Sequence, residues 1–497
     1  MASLLLAPPY PRTRKRPSLR PVLMLPQSAQ RWLVGQPAGA LSQRVANVES
    51  YALDRLFPGV DMHNETMITM VKRHMAGRLG LVQDVMAAQL RTLVDARLDP
   101  HGSGRGRDDD EKNPTTPAEW QTVNLALFVR DVVTRTGYRI HVGAQLSADP
   151  AFIAASWGMT LWAGVGTIIV GQFAPPLLKC GLGLLCSLPI SWYIRRYRRV
   201  IYPVFKERME AVERVLSLKN GGTKGEVAAA LECEYEDGNE SSELPQDAMT
   251  WTALTLHERN PDGDTLEGII DNFITIFTAA FATIPVTIHA LLNLISLPEA
   301  QAYLPLLRED ITRTFADAAA WSAPHTTAPG RMPLLEAFLR ESMRYTPFFA
   351  RGQEHKVVAR EGVYLADGTT HVPYGTILAC PVAGIVDDER FYAKPEVFDP
   401  FRFLDKVVDG EGGVGERYTL KANCQLTSPS DVFLGFGYGR HACPGRFFAA
   451  RIMKLMIAYL IFQYEFEPLN KRPRNFVVGS FTIPPLFTKV KFRRRTR

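Results

Sequence analysis

Between Phe436 and Gly445 the chain reads FGYGRHACPG, and an apolar stretch, RFFAARIMKLMIAYLIF, comes at once after it. Gly435, Gly437 and Gly439 let the backbone turn tightly and approach a flat partner without side-chain interference. Cys443 stands just ahead of a segment with helical apolar spacing, whose opening Pro-Gly is tolerable in a first turn. A thiolate there meets free backbone N–H groups and the positive end of a helix, both of which favour the anion. Arg440, His441 and Arg446 add positive charge. A buried structural cysteine accounts for neither the spaced glycines nor the Pro-Gly step into the helix. The design suits a metal ligand better than an exposed nucleophile. One cysteine with no second protein ligand points to a metal already held by another chelate.

The remainder of the chain must build a body around that loop. Its 497 residues, 46% apolar and 22% charged, are those of a globular protein. The net charge of +6 is modest, and basic residues gather at the ends, in PRTRKRPSLR and KVKFRRRTR. Such runs read as solvated tails, with binding to anionic lipid or an acidic protein as the sharper alternative; nothing resembles a nucleic-acid module. The six cysteines have no CxxC spacing, so neither a disulfide framework nor a zinc site is expected, and a reducing, cytosol-facing environment fits.

MASLLLAPPYPRTRKR is too short in its apolar part for a signal peptide or a spanning helix. From Ala151 to Leu178 no residue is charged, and a second apolar run to Tyr193 is closed by IRRYRR. Its Gly, Ser and Thr content and the break at Pro175-Pro176 favour buried or surface-dipping helices over a true span.

Three polar stretches, Asp99–Pro117, Lys219–Asp247 and Asp409–Asp431, read as exposed loops. Arg73–Arg97 and Glu119–Thr136 carry helical apolar spacing. The longest helix is expected to begin near DGDTLEG, capped by Asp264 and Glu267, and to run to about Leu297. Pro285 predicts a kink near Thr283. GVYLADGTTHVPYGTILAC alternates around Asp367-Gly368, a hairpin signal, and NFVVGSFTIPPLFTKVKF reads as a terminal pair of strands. The expected class is mainly α with small β-sheets, an α+β domain.

FGYGRHACPGR resembles the haem-binding loop of the cytochrome P450 family in its fungal form. ESMR (Glu341–Arg344) resembles the Glu-x-x-Arg of the family's K helix, and PEVFDPFRF the segment that supplies a second arginine, here Arg402. AAFAT (Ala279–Thr283) falls where the family's long helix crosses the distal face of the haem. RWLVGQP and EWQTVNLALFVRDVVTRTGYRIHVG also resemble fungal members, and the likeness runs from about residue 30 to the end.

The resemblance implies one haem-thiolate domain over residues 30–497, preceded by a basic extension over 1–29. It implies haem b as cofactor, with Cys443 as the axial thiolate and Phe436, Gly437 and Gly445 shaping its loop. His441 meets a propionate, and Lys356 or Arg351 supplies a second contact. Glu341 and Arg344 share one helix face, so the carboxylate can hold Arg344 while taking a fork from Arg402, in a structural role. Thr283 assists proton delivery on the distal side. Phe277, Phe281, Thr283, Phe348 and part of GSFTIPP form an apolar distal wall.

The implied activity is a monooxygenase of secondary metabolism, inserting one oxygen atom of O2 into a small apolar substrate. Electrons come from NADPH-cytochrome P450 reductase, docked near Arg440 and Arg446. Two departures stand out. Ala282 occupies the position where the family usually carries an acid or histidine, which opens the alternatives of rearrangement, dehydration, peroxide-driven oxidation or decayed activity. The N-terminal anchor of fungal members is not evident, so membrane contact, at the cytosolic face of the endoplasmic reticulum by family, rests on Ala151–Tyr193.

Overall fold

Apolar residues at helical spacing dominate the sequence, and the computed structural model accordingly describes a helical body edged by short strands. It describes residues 22–60, 62, 65–100, 119–218, 244–259, 266–315, 327, 330–407 and 417–495. Most of the basic extension, most of the first two polar loops, residues 409–416 of the third and the Asp264 cap lie outside the described residues; Arg417–Leu420 of the third is not loop but a strand paired with Leu404–Val407.

In chain order the elements that matter are β1 (Val22–Met24), β2 (Leu41–Ser42), α1 (Gln83–Leu98), β3 (Gln121–Asn124), α2 (Leu125–Ala148), α3 (Pro150–Gly166) and α4 (Lys179–Leu218). Next come α5 (Leu266–Ala280), α6 (Thr283–Ser296), α7 (Pro333–Tyr345), β4 (Gly352–Val357), β5 (Val363–Tyr364), β6 (His371–Val372) and β7 (Ile377–Cys380). The last are α8 (Arg446–Gln463), β8 (Tyr464–Phe466), β9 (Phe476–Val478), β10 (Phe481–Ile483) and β11 (Lys489–Arg494).

Helices α1, α2, α6, α7 and α8 pack around one large apolar core, with α3 and α4 laid together across it. Helix α8 is almost completely buried, from Phe448 to Phe462, as its apolar run requires. A four-stranded sheet, in the order β1-β7-β4-β2, caps a second, smaller core.

Local sequence decided several boundaries. Asp367 accepts the amides of Thr369 and Thr370, Gly368 takes a φ of +69°, and β5 pairs with β6 as the Asp-Gly signal predicts. Gly479 likewise closes the β9–β10 hairpin at a φ of +58°.

One boundary was decided from afar, another by a neighbouring proline. Residues 121–124 are a strand and not helix, because β11 pairs with them from the far end of the chain; Asn124 then accepts the Leu127 amide and starts α2. The long distal helix is interrupted, not merely kinked. Pro285 crowds the carbonyl four residues earlier, and α5 ends at Ala280 while α6 restarts at Thr283.

The terminal β9–β10 hairpin is tied to α6 by a histidine. His289, 1% exposed, meets the Thr482 carbonyl through Nε2 at 3.0 Å, and burial pulls its pKa down to about 4. Its folded value lies below the ordinary 6.5, so the unfolded chain binds the proton more readily. The stability linked to the neutral ring is therefore whole above pH ~6.5 and is lost as pH falls toward 4, by at most ~3 kcal/mol. Denaturant unfolding at several pH values should show that loss, and His289→Gln should flatten the slope between pH 6.5 and 4.

Candidate functional site

The cysteine loop is closed by its own backbone. Gly437 and Gly439 take φ values of +77° and +62°, conformations that a side chain would resist. The Gly437 amide donates to the Leu434 carbonyl at 2.9 Å, and the Cys443 amide returns to the Phe436 carbonyl at 2.8 Å. Gly445 caps α8, and a Cβ there would stand 4.0 Å from Cys443 Sγ.

The thiol of Cys443 is solvent-accessible, yet it sits deep enough that burial raises its pKa. The amides of Gly445 and Arg446 and the charge of Arg446 oppose that rise without overcoming it. The loop by itself therefore favours the neutral thiol. Among the described residues no group of three or more His, Cys, Asp or Glu side chains is placed to hold a metal ion.

A cationic cluster stands beside the loop. The rings of His441 and His355 lie 5.0 Å apart, edge to face. Arg440 Nε donates to His441 Nε2 at 3.0 Å, and the charge of Lys72 also reaches His441. Burial, reinforced by these neighbours, holds the His441 pKa down at about 4. His355 is fully buried, with Nδ1 against the Gln353 carbonyl at 2.9 Å and Nε2 without a partner among the described residues.

Lys356 is not part of that cluster. Side chains alternate along a strand, and Lys356 turns instead to Glu49. Its place is taken by His355, aimed by a bulge between Gly352 and His355 where Gln353 adopts a φ of +55°. Arg351 is also engaged elsewhere, with Glu354 at 2.8 Å. Lys72 and His355 had no motif to mark them; the alternation of β4 was the one available signal.

Helix α7 clamps this loop from below. Glu341 and Arg344 are both fully buried, and two parallel bonds of 2.8 Å join them. Glu341 also accepts the Asp399 amide at 2.9 Å. Arg402 Nε lies 3.1 Å from Glu341 without the alignment of a hydrogen bond, so the expected fork comes from Arg344 alone. The outer nitrogens of Arg402 donate to the Ala393 and Val397 carbonyls, each at 3.0 Å. One step back along α7, Arg340 donates to the carbonyls of Gln425 and Ser428 and covers the Phe433 ring at 3.8 Å. One helix thus fixes both the 397–402 segment and the strand of chain that enters the cysteine loop.

Thr283 lies at the break between α5 and α6 and lines a cavity with Phe281, Trp157, His141 and Phe448. Thr278 and Thr287 back-bond to carbonyls four residues earlier at 2.7 Å, whereas no such bond is present at the Thr283 hydroxyl. Phe277 touches the same cavity, but at 3% exposure it belongs mainly to an aromatic core with Tyr138 and Phe152. Phe348 is not among the lining residues; it stacks with Phe349 and Phe481 in a separate cluster. The expected distal wall is therefore two groups of aromatics.

A family model described as Cytochrome P450 matches residues 226–492. The chain belongs to the cytochrome P450 family. It is 28% identical over 484 residues to cytochrome P450 monooxygenase polB of Polytolypa hystricis, covering 96% of this chain and 84% of that protein. It is 28% identical over 488 residues to cytochrome P450 monooxygenase lnaC of Aspergillus flavus, covering 96% and 83%. Cytochrome P450 monooxygenase 103 of Postia placenta is 32% identical over 391 residues, covering 78% and 69%.

The mainly helical fold with small sheets is that of the family, its cofactor is haem iron, and the chain is a haem-thiolate monooxygenase. As a member it acts on a small substrate with electrons from a redox partner. The residues fit the group. An accessible thiol faces open space over Gly445, and the cluster of His355, His441, Arg440 and Lys72 suits two carboxylates.

Removing half of the buried pair leaves an uncompensated charge, at a loss of about 3–5 kcal/mol. Glu341→Gln should lower stability by that order in denaturant unfolding and reduce the yield of haem-loaded protein. Arg390→Gln, at an exposed pair, should change neither.

Proposed function

We propose that Cys443 would supply the thiolate ligand of haem b in an enzyme that oxidises an apolar small molecule of secondary metabolism. The observation that carries this reading is the Cys443 thiol itself, accessible, backed by the amides of Gly445 and Arg446 and placed at the start of a buried helix. Phe436, Gly437 and Gly445 shape the loop around it. His441 and His355, with Lys72 and Arg440, hold the two propionates. Glu341, Arg344 and Arg402 hold the loop's foundation and touch no reacting atom.

When bound, haem supplies the oxygen chemistry, and an electron-rich thiolate favours O–O cleavage. The protein's part is to bind, orient and move a proton. Thr283, beside an apolar cavity and without a back-bond among the described residues, would donate a proton from Oγ1. The aromatic lining favours an apolar substrate over a charged one.

Electrons arrive from an NADPH-dependent reductase with an acidic face. Arg440, exposed beside the loop, belongs to the basic surface it meets.

The carbon monoxide difference spectrum of the reduced protein tests the central assignment. The parent should give the Soret band of a thiolate ligand, and Cys443→Ser should lose it while still folding; a well-folded parent with no haem signal would sink the reading. A second reading rests on Ala282, where no acid or histidine supports Thr283: turnover without electron input, by rearrangement or with peroxide. Product formed only with NADPH and reductase, and diminished in Thr283→Ala, decides for the monooxygenase route.

Three described helical stretches, 150–173, 176–217 and 266–296, are long and apolar enough to cross a membrane by length and composition. The first two support a surface contact, at the cytosolic face of the endoplasmic reticulum. Leu177 is 95% exposed, Leu184, Leu185 and Leu188 continue the patch on the outside of the fold, and Arg195 and Arg196 succeed them. The protein should float with anionic liposomes, and Leu184→Glu/Leu188→Glu should leave it at the bottom of the gradient; a parent that stays soluble excludes the contact.

A further inference from the structure

Helix α8 presents two working faces. Phe448 and Ile452 line the Thr283 cavity, whereas Phe447, Ala450, Arg451 and Lys454 keep to the three- and four-residue steps of another stripe and line a second cavity. That space, about 170 Å³, is completed by Leu79, Thr327, Glu336 and Thr427.

The charges in its wall are unevenly matched. Lys454 Nζ lies 3.0 Å from Glu336 Oε2, within an almost wholly buried pair. The same carboxylate accepts the Gly330 amide at 2.6 Å and the Leu426 amide at 2.9 Å, so Glu336 is fully engaged. Arg451, 6% exposed, has no carboxylate partner among the described residues. Its Nη1 donates to the Leu79 carbonyl at 3.1 Å and to Gln83 Oε1 at 2.8 Å, both neutral. Gln83 Oε1 is already shared with the Thr327 hydroxyl at 2.9 Å.

A guanidinium stays charged at neutral pH even where burial pulls its pKa down to about 10. A buried charge without a counter-charge is strongly destabilising. Among the described residues, a guanidinium without a counter-charge and an open space lie side by side. Thr427, 5% exposed, also lines that space.

We infer that the second cavity binds a small inorganic oxyanion, such as phosphate or sulfate, on the free edge of the Arg451 guanidinium, with Thr427 beside it. Glu336 repels an anion from the Lys454 side, which leaves Arg451 as the anchor. The planar fork of arginine suits the paired oxygens of a tetrahedral anion better than a single chloride. The space is a few water volumes, enough for one such anion with a little water and too small for a nucleotide. The site is independent of the haem assignment, since it occupies a different stripe of α8.

The purified, haem-loaded chain tests it, with inorganic phosphate, sulfate and chloride compared at constant ionic strength. Isothermal titration should give saturable heat with phosphate or sulfate, and the unfolding midpoint should rise by ~2 °C at saturation. In Arg451→Met both effects should vanish, while the phosphate-free variant is at least as stable as the parent because a lone buried charge has gone. Arg390→Gln, at an exposed guanidinium, should keep the parent's response. A phosphate response that persists in Arg451→Met overturns the site, as does a parent that binds neither oxyanion; a chloride response equal to that of phosphate overturns the oxyanion assignment. If Arg451→Met does not fold, Thr427→Val should weaken phosphate at least fivefold, and unchanged affinity rejects the proposal.

Discussion

The carboxylate of Glu341 is sealed from water, and the cysteine loop depends on how that charge is met. It holds Arg344 through two short parallel bonds, takes the Asp399 amide, and draws Arg402 close. A carboxylate in so dry a place is tolerable only when its lone pairs are filled, so the surrounding chain has little freedom. Helix α7 converts this local requirement into long-range order. Its Glu341 and Arg344 fix residues 397–402, and its Arg340 fixes 425–433, the approach to the loop.

The loop itself is a compromise between two demands. It must leave a thiol open to a metal, and it must keep that thiol from open water. Positive-φ glycines at 437 and 439 bend the backbone, while the Gly445 and Arg446 amides face the sulfur. Burial still wins at Cys443, and its pKa rises. A cationic cluster built from three distant segments stands beside it, and the pKa values of both its histidines are lowered, chiefly by burial and also by the charge of Arg440. On the proposed reading the two features are halves of one design, in which a bound iron would complete the thiolate and two carboxylates would complete the cations.

Helix α8 serves more than the cysteine. One stripe meets the Thr283 cavity, and another carries Arg451 and Lys454 into a polar interior where Arg451 has no counter-charge among the described residues. Buried charge is thus handled in two ways within one domain. At Glu341 the chain supplies every partner. At Arg451 the described residues supply only neutral oxygens.

What the sequence determined by itself was local. The turn glycines, Cys443 ahead of an apolar helix, the three-residue spacing of Glu341 and Arg344, the Asp367-Gly368 hairpin and the interruption before Pro285 are all set by neighbours within a few residues. What only the tertiary structure decided was which distant residues meet. Residues 121–124 are a strand because 489–492 pair with them, and Lys356 faces Glu49 while His355 faces His441 because of β4's bulge and pairing. Lys72 joins the cluster at His441 from a helix near the other end of the chain, with no motif to announce it. A helix or a turn is stabilised within its own few residues, whereas strand register and buried charge are set by partners that only the folded chain brings into contact.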